Sequence, residues 1–194
     1  MILLSIITVT RNERYNLEKT LLSVIREKSV NVEYIVIDGD SSDGTNDLIK
    51  ENIEVIDEFI SEQDSGIYNA MNKGLKMASG KFSIFLNSGD EISNISNIIY
   101  NIKNLEYTDA SILLYSSRFT WPNGMEKTIS PEFVFCKMPT SHQAMVFHTD
   151  TARLFYYNEN YKYSADYELY LSMSECVNKN IIVFNDVIVK TAPV

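Results

Sequence analysis

Four aspartates stand where a carboxylate could meet a ligand. Asp38 follows the apolar run Val32 to Ile37, and Asp90 follows Phe82 to Leu86. Asp64 lies in a loop before a helical stretch, Ile67 to Ala78, and Asp166 opens another that ends near Cys176. A carboxylate can accept an N–H hydrogen bond, bind a divalent cation as a hard-oxygen ligand, or take a proton from a hydroxyl. The carboxyl ends of strands are where open α/β sheets bind their ligands. Each aspartate also has a plainer use. Asp38 lies in an Asp/Ser/Gly loop that suits an Asx-turn, and Asp64, Asp90 and Asp166 can each cap a helix. Lys73 can meet a phosphate or stand solvated. His142 has no second His or Cys at ligand spacing, so zinc is not indicated. Residue types and spacing leave these alternatives open.

The elements that would position these residues alternate. Leu3 to Val9 is a continuous apolar run that suits a strand covered on both faces, and Thr8 to Asn12 leave its carboxyl end. A helix follows, with Asn16 as N-cap and Leu17, Leu21, Leu22 and Ile25 on one face. Val32 to Ile37 is a second strand, Thr45 to Lys50 a helix, and Val55 to Ile60 a third strand. Ile67 to Ala78 is expected to stop at Gly80, since glycine tolerates a left-handed helix end. Phe82 to Leu86 is the next buried strand. This alternation predicts an α/β fold, a mostly parallel sheet with helices on both faces. Beyond Asp90 the pattern loosens. Helical spacing recurs at Ile95, Ile98, Ile99 and Ile102. A strand is expected at Ser111 to Tyr115, a hairpin at Arg118 to Ile129 turning at Pro122-Asn123-Gly124, a loop at Met138 to Gln143, a strand at Ala144 to Phe147, and one or two strands within Ile181 to Val189.

The chain has 194 residues, 45% hydrophobic and 22% charged, which suits one soluble globular domain. Its net charge of −9 argues against a nucleic-acid surface and, on average, against an anionic membrane, while a local basic patch leaves room for peripheral membrane contact. Cys136 and Cys176 are far apart and read as reduced thiols of a cytosolic protein. The apolar start lacks a basic flank and a cleavage site, so it reads as a strand and not a signal peptide. No apolar run is long enough to span a bilayer.

Three stretches together carry a resemblance: Ile6-Ile7-Thr8-Val9-Thr10-Arg11-Asn12, Val36 to Thr45, and Ser61 to Asp90. In this order and spacing they resemble the family 2 glycosyltransferases, GT-A-fold enzymes that transfer sugars from nucleotide donors. The similarity runs from about Leu3 to Asp90 and reappears around His142 to Leu171. It implies one GT-A-like domain over residues 1–194, with a donor half to about residue 91 and an acceptor half beyond. Thr8, Thr10 and Asn12 would line the base and ribose, and Asp38 would accept a nucleobase N–H. Asp64 would line the donor pocket, Lys73 would meet a phosphate, and His142-Gln143 would lie near the diphosphate or acceptor. Asp90 takes the place of the last acid in the family's metal motif and would hold Mg²⁺ or Mn²⁺. Many relatives have two or three acids there, whereas Asn87-Ser88-Gly89-Asp90 has one that matches. Asp166 would be the general base, with Glu168 the nearby alternative.

The implied function is inverting transfer from a nucleotide-diphosphate sugar, UDP-linked for preference, to a saccharide or lipid-linked saccharide. The setting would be bacterial surface-polysaccharide synthesis of the colanic-acid or O-antigen type, in the cytoplasm or at the inner face of the membrane. The rivals are an inactive nucleotide-binding module of the same fold and a nucleotidyltransferase. Thr8 to Asn12 has no glycine, which counts against the last.

Overall fold

The computed structural model describes residues 1–105, 109–132, 137–176 and 181–191. Cys136 lies outside them, as does the side chain of Cys176. The first half alternates as the sequence pattern predicts: β1 (Leu4–Thr10), α1 (Arg14–Glu27), β2 (Val32–Asp38), α2 (Thr45–Glu51), β3 (Glu58–Ser61), α3 (Ile67–Met77) and β4 (Phe82–Asn87). The second half contributes β5 (Glu91–Ile92), α4 (Ile95–Asn104), β6 (Ile112–Thr120), β7 (Glu126–Ile129), β8 (Met145–His148), α5 (Thr149–Phe155), α6 (Ala165–Cys176) and β9 (Ile181–Thr191). A 3₁₀ turn, His142–Ala144, precedes β8.

These strands form one nine-stranded sheet in the order β3-β2-β1-β4-β8-β6-β9-β5, with β7 paired to β6. The block β3-β2-β1-β4 is parallel, and β8 joins β4 antiparallel. Chain order therefore reverses around β1, and a crevice opens past the carboxyl ends of β1 and β4. The register lines those ends up: Thr10 faces Asp38, Asp38 faces Ser61, and Val9 faces Asn87. The candidate residues on the loops after β1, β2, β3 and β4 thus share one edge of the sheet.

Helices cover both faces. Leu17, Leu21 and Val24 of α1, Leu48 and Ile49 of α2, and the isoleucines of α4 pack with Ile6, Tyr34, Val36 and Ile84. On the other face Ala70, Met71 and Leu75 of α3 and Leu169 and Met173 of α6 pack with Ile7, Ile35, Ile37 and Phe85. Apolar residues of β1 point alternately into these two layers, as a strand buried on both sides requires.

Four local expectations are corrected. Helix α1 begins at Arg14 with Glu13 as its N-cap residue, and Asn16 lies inside the first turn. The cap comes instead from another loop, since Asp43 Oδ2 accepts the Arg14 N–H at 3.0 Å. The buried face of α1 is Leu17, Leu21 and Val24, whereas Leu22 and Ile25 are exposed. The third strand starts at Glu58 and not Val55, because residues 52–55 form a turn in which the Val55 N–H donates to the Asn52 carbonyl at 3.0 Å. Helix α3 ends at Met77, and Gly80 is not left-handed. A Cβ on Gly80 would lie 2.7 Å from the Ser5 nitrogen and 2.9 Å from the Leu4 carbonyl carbon. Glycine is required there for close backbone approach.

Candidate active site

The loop after β2 is built around Asp38. This residue is fully buried. Its Oδ2 accepts from the Ser41 N–H at 3.1 Å and from the Ser61 hydroxyl at 2.7 Å, and its Oδ1 accepts from the Ser41 hydroxyl. Asn46 Nδ2 in turn donates to Ser61 Oγ at 2.6 Å. Three of about four acceptor positions on the carboxylate are therefore used inside the protein. Asp38 organises the loop, and about one acceptor position of this buried carboxylate is left for a direct base contact of the kind expected from the sequence. Asn12 clasps the same loop from β1. Its φ is +53°, its N–H donates to Ser41 Oγ at 2.7 Å, and its Oδ1 accepts from the Ser42 N–H at 2.8 Å. Asp43 extends the scaffold by accepting from Thr45 N–H at 3.0 Å as well as from Arg14, and these bonds hold its carboxyl below the usual range.

Thr8 faces inward, where its Oγ1 accepts from the buried Tyr34 hydroxyl at 3.2 Å. It supports the strand from below and lines no open surface, which corrects its expected place beside the base. Thr10 sits at the strand end next to Asp38, and its buried hydroxyl has no partner among the described residues. Asp64 lies across from this loop. Its Oδ1 accepts from the Gly66 N–H at 3.1 Å, and its Oδ2 lies 2.6 Å from where a Cβ on Gly39 would be. The same Gly39 position is 3.2 Å from Arg11 Cδ. Asp64, Gly39 and Arg11 thus form a close-packed wall. Lys73 is committed elsewhere: its Nζ pairs with Glu62 at 2.8 Å and donates to the Gln63 carbonyl at 3.2 Å. It ties the β3–α3 loop to α3, and no bond of this set points it at a phosphate.

Asp90 closes a tight turn. Its Oδ2 accepts from the Asn87 N–H at 3.0 Å, its own N–H donates back to the Asn87 carbonyl at 3.0 Å, and Gly89 between them has φ +100°. The Gly89 N–H donates to Thr20 Oγ1 of α1 at 2.9 Å, which anchors the turn. Asp90 is 4% exposed. No group of three His, Cys, Asp or Glu residues that could hold an ion comes together among the described residues. The Asp90 carboxylate, already engaged within the protein, and Asn87 Oδ1, which has no partner among the described residues, are the candidate oxygen donors of this turn. Such a set fits Mg²⁺ or Mn²⁺ only as a minority of the shell, the rest coming from substrate phosphates and water.

Beside this turn lies a cavity of about 340 Å³. It is lined by Ile67, Tyr68 and Met71 of α3, Asn87 of β4, the 138–143 loop, and Asp166. Two of the lining residues, Asn87 and Ser141, each carry a buried side-chain oxygen with no hydrogen-bond partner among the described residues. Asp166 lies in the first turn of α6, behind Ser164 whose φ is +68°, so it is not the cap residue. Its carboxylate makes no hydrogen bond among the described residues, in contrast to Asp38, Asp64 and Asp90. Burial pushes the Tyr68 and Tyr157 hydroxyls above their ordinary range, and the Asp166 charge adds to that shift.

His142 is buried among rings, 5.6 Å from Phe85 in a stacked arrangement and 5.7 Å edge-on to Tyr157. Burial lowers its pKa from 6.5, and the Asp166 charge opposes that shift. Its Nε2 lies 2.8 Å from the Tyr157 hydroxyl. Tyr68, Ser41, Ser61 and Asn87 were not among the expected site residues. Tyr68 has a signal in hindsight, since it begins a helix that follows a strand end. The serines carried none, because a loop rich in Ser and Gly says nothing about which hydroxyl turns inward.

The profile of the family described as "Glycosyl transferase family 2" matches residues 5–165. A Bacillus subtilis (strain 168) protein named as a teichuronic acid biosynthesis glycosyltransferase, TuaG, is 39% identical over 93 residues, covering 46% of this chain and 36% of that protein. A Mycobacterium bovis protein named "PGL/p-HBAD biosynthesis glycosyltransferase" is 26% identical over 174 residues, covering 84% of this chain and 66% of that one. Among solved structures, S. aureus TarS 1-349 in complex with UDP superposes with a TM-score of 0.80 at 18% identity, covering 99% of this chain and 61% of that chain. The mannosyltransferase PcManGT from Pyrobaculum calidifontis, in complex with GDP-Man and Mn²⁺, gives 0.73 at 14% identity, covering 97% and 56%. The architecture is therefore the one these transferases share, and the chain spans well under two thirds of TuaG and of both solved chains.

Proposed function

The chain belongs to glycosyl transferase family 2, and we propose that it moves a sugar from a nucleoside-diphosphate donor, a UDP-sugar for preference, to a hydroxyl of a saccharide or lipid-linked saccharide with inversion. The observation that carries this reading is Asp166: a carboxylate with no hydrogen bond among the described residues, lining the cavity beside the Asn87–Asp90 turn. The donor's base and ribose would lie along the edge made by Thr10, Asn12, Asp38 and Asp64. Asp38 would act there by holding the loop in shape. Asn87 and Asp90 would hold the cation, which supplies Lewis-acid stabilisation of the leaving diphosphate. Asp166 would take the proton from the acceptor hydroxyl as that oxygen bonds to the anomeric carbon on the face opposite the leaving group. His142 would sit between donor and acceptor. The relatives named for teichuronic acid and for PGL/p-HBAD biosynthesis support a glycan or glycolipid acceptor, and no helix among the described residues is long and apolar enough to cross a membrane. Work at the inner face of the membrane would then rest on peripheral contact.

Calorimetric titration with a panel of nucleotide sugars, followed by product analysis with and without Mn²⁺, tests this reading. Turnover of one donor with inverted product is expected. Binding without turnover at any metal concentration would support the inactive module, which the internal use of Asp90 favours. A nucleotidyltransferase would release pyrophosphate from a nucleoside triphosphate.

A further inference from the structure

The hydrogen bond between Tyr157 and His142 can hold its proton in two ways. Were Nε2 of His142 the donor, the Tyr157 O–H would be a donor on a buried side chain with no acceptor among the described residues, which is unfavourable. If Tyr157 donates, its hydroxyl is satisfied, and a neutral imidazole must then carry its proton on Nδ1, an atom that is not among the buried unpartnered ones and so can reach an acceptor in the cavity that His142 lines. Burial keeps both groups in that state, holding the Tyr157 hydroxyl protonated and the His142 ring neutral. The tyrosine is rigid. Its N–H donates to Asn72 Oδ1 at 2.8 Å, and its carbonyl accepts from Asn72 Nδ2 at 2.9 Å, so its backbone is locked to α3. Nδ1 of His142 has no partner among the described residues, and His142 lines the cavity that holds Asp166.

We propose that Tyr157 is a positioning residue that fixes His142 in its Nδ1–H tautomer, so that His142 offers a neutral N–H donor to a substrate oxygen in this cavity. The role in catalysis rests on the transfer reading; the tautomer does not. A neutral donor binds an oxygen without adding a positive charge beside Asp166, so the aspartate can still accept a proton. With its proton on Nδ1, the ring cannot serve as base or cation ligand at that nitrogen. The chain contains its own contrast. His148 Nδ1 accepts the Thr151 N–H as the N-cap of α5, which places that ring's proton on Nε2. The two histidines of the chain should therefore be opposite tautomers.

Long-range proton–nitrogen spectra of the full chain labelled on histidine, recorded near neutral pH where both rings are uncharged, read this directly. His148→Gln removes one set of signals and assigns the other. His142 as Nδ1–H and His148 as Nε2–H is the expected result, with Tyr157→Phe abolishing the pure Nδ1–H state. His142 found as Nε2–H in the wild type overturns the proposal without any variant having to fold. The catalytic arm uses amide replacements, since the Asn amide nitrogen falls near the place of Nδ1 and that of Gln near Nε2. His142→Gln should lose about 10² in turnover, as for one lost donor at a reacting centre, and His142→Asn should lose less. The reverse ranking overturns the catalytic role. A wild-type chain that turns over no nucleotide sugar overturns the transfer reading and with it that role, and leaves the tautomer result intact.

Discussion

Asn87 and Asp90 hydrogen-bond each other in both directions: the Asn87 N–H donates to Asp90 Oδ2, and the Asp90 N–H donates to the Asn87 carbonyl, each at 3.0 Å. The acid expected to hold a cation is thus also the residue that shapes its own loop. The two roles separate by substitution. Asp90→Asn keeps an oxygen that can accept the Asn87 N–H, so thermal stability should stay near wild type while Mn²⁺-dependent donor binding weakens. Asp90→Ala loses the acceptor and leaves a part-buried N–H unpaired, which should cost about 1–3 kcal/mol in denaturant unfolding. Donor binding that is independent of metal in the wild type would remove the cation role and leave the turn.

Asp38 makes a similar case with the opposite emphasis. Its buried carboxylate collects Ser41 N–H, Ser41 Oγ and Ser61 Oγ. Asp38→Ala should therefore lose stability, by about 2–3 kcal/mol for bonds to a charged group, as well as nucleotide affinity. Asp38→Asn can accept fewer of these bonds and should fall between. Loss of UDP affinity with no change in unfolding free energy would mean that the carboxylate leaves its loop to meet the base.

The alternation of strands and helices, the two-faced packing and the places of Asp38 and Asp90 just past strand ends were legible in the sequence, because β-branched runs and turn residues encode them locally. What each carboxylate does there was not. Asp38 and Asp90 face inward through bonds to Ser61 and to a neighbouring backbone N–H, and no spacing rule reports those. Gly80 shows the same limit, since its need arises from a strand, residues 4–5, that is remote in sequence. The start of α1 was misplaced because its cap, Asp43, lies on another loop. Lys73 reads as a phosphate ligand until Glu62 is seen beside it.

Acid should destabilise this fold before its carboxylates titrate. Burial lowers the pKa of both His142 and His148 from 6.5. The unfolded chain then binds more protons than the folded one just below that value, so stability falls as pH drops. The histidine contribution is fully present above about 6.5 and lost progressively beneath it. Melting temperature measured from about pH 7.5 to 5.5, above the usual carboxylate range, should decline, and the decline should shrink in His142→Gln. A flat profile across that window would show that neither ring is held neutral by the fold.

Asp166 offers the sharpest test of the transfer reading. It lies inside the first turn of α6 and makes no cap, so Asp166→Asn removes a charge and a proton acceptor without removing a structural bond. Transfer should fall by roughly 10²–10⁴, the range for a lost general base. Nucleotide affinity and unfolding free energy should stay near wild type. An independent readout comes from His142, whose pKa the Asp166 charge raises against the effect of burial. In Asp166→Asn that opposing influence is gone, so the His142 titration should move to still lower pH. A shifted His142 with unchanged turnover would show that Asp166 faces the cavity as described and yet is not the base, and Glu168→Gln would then be the variant to measure.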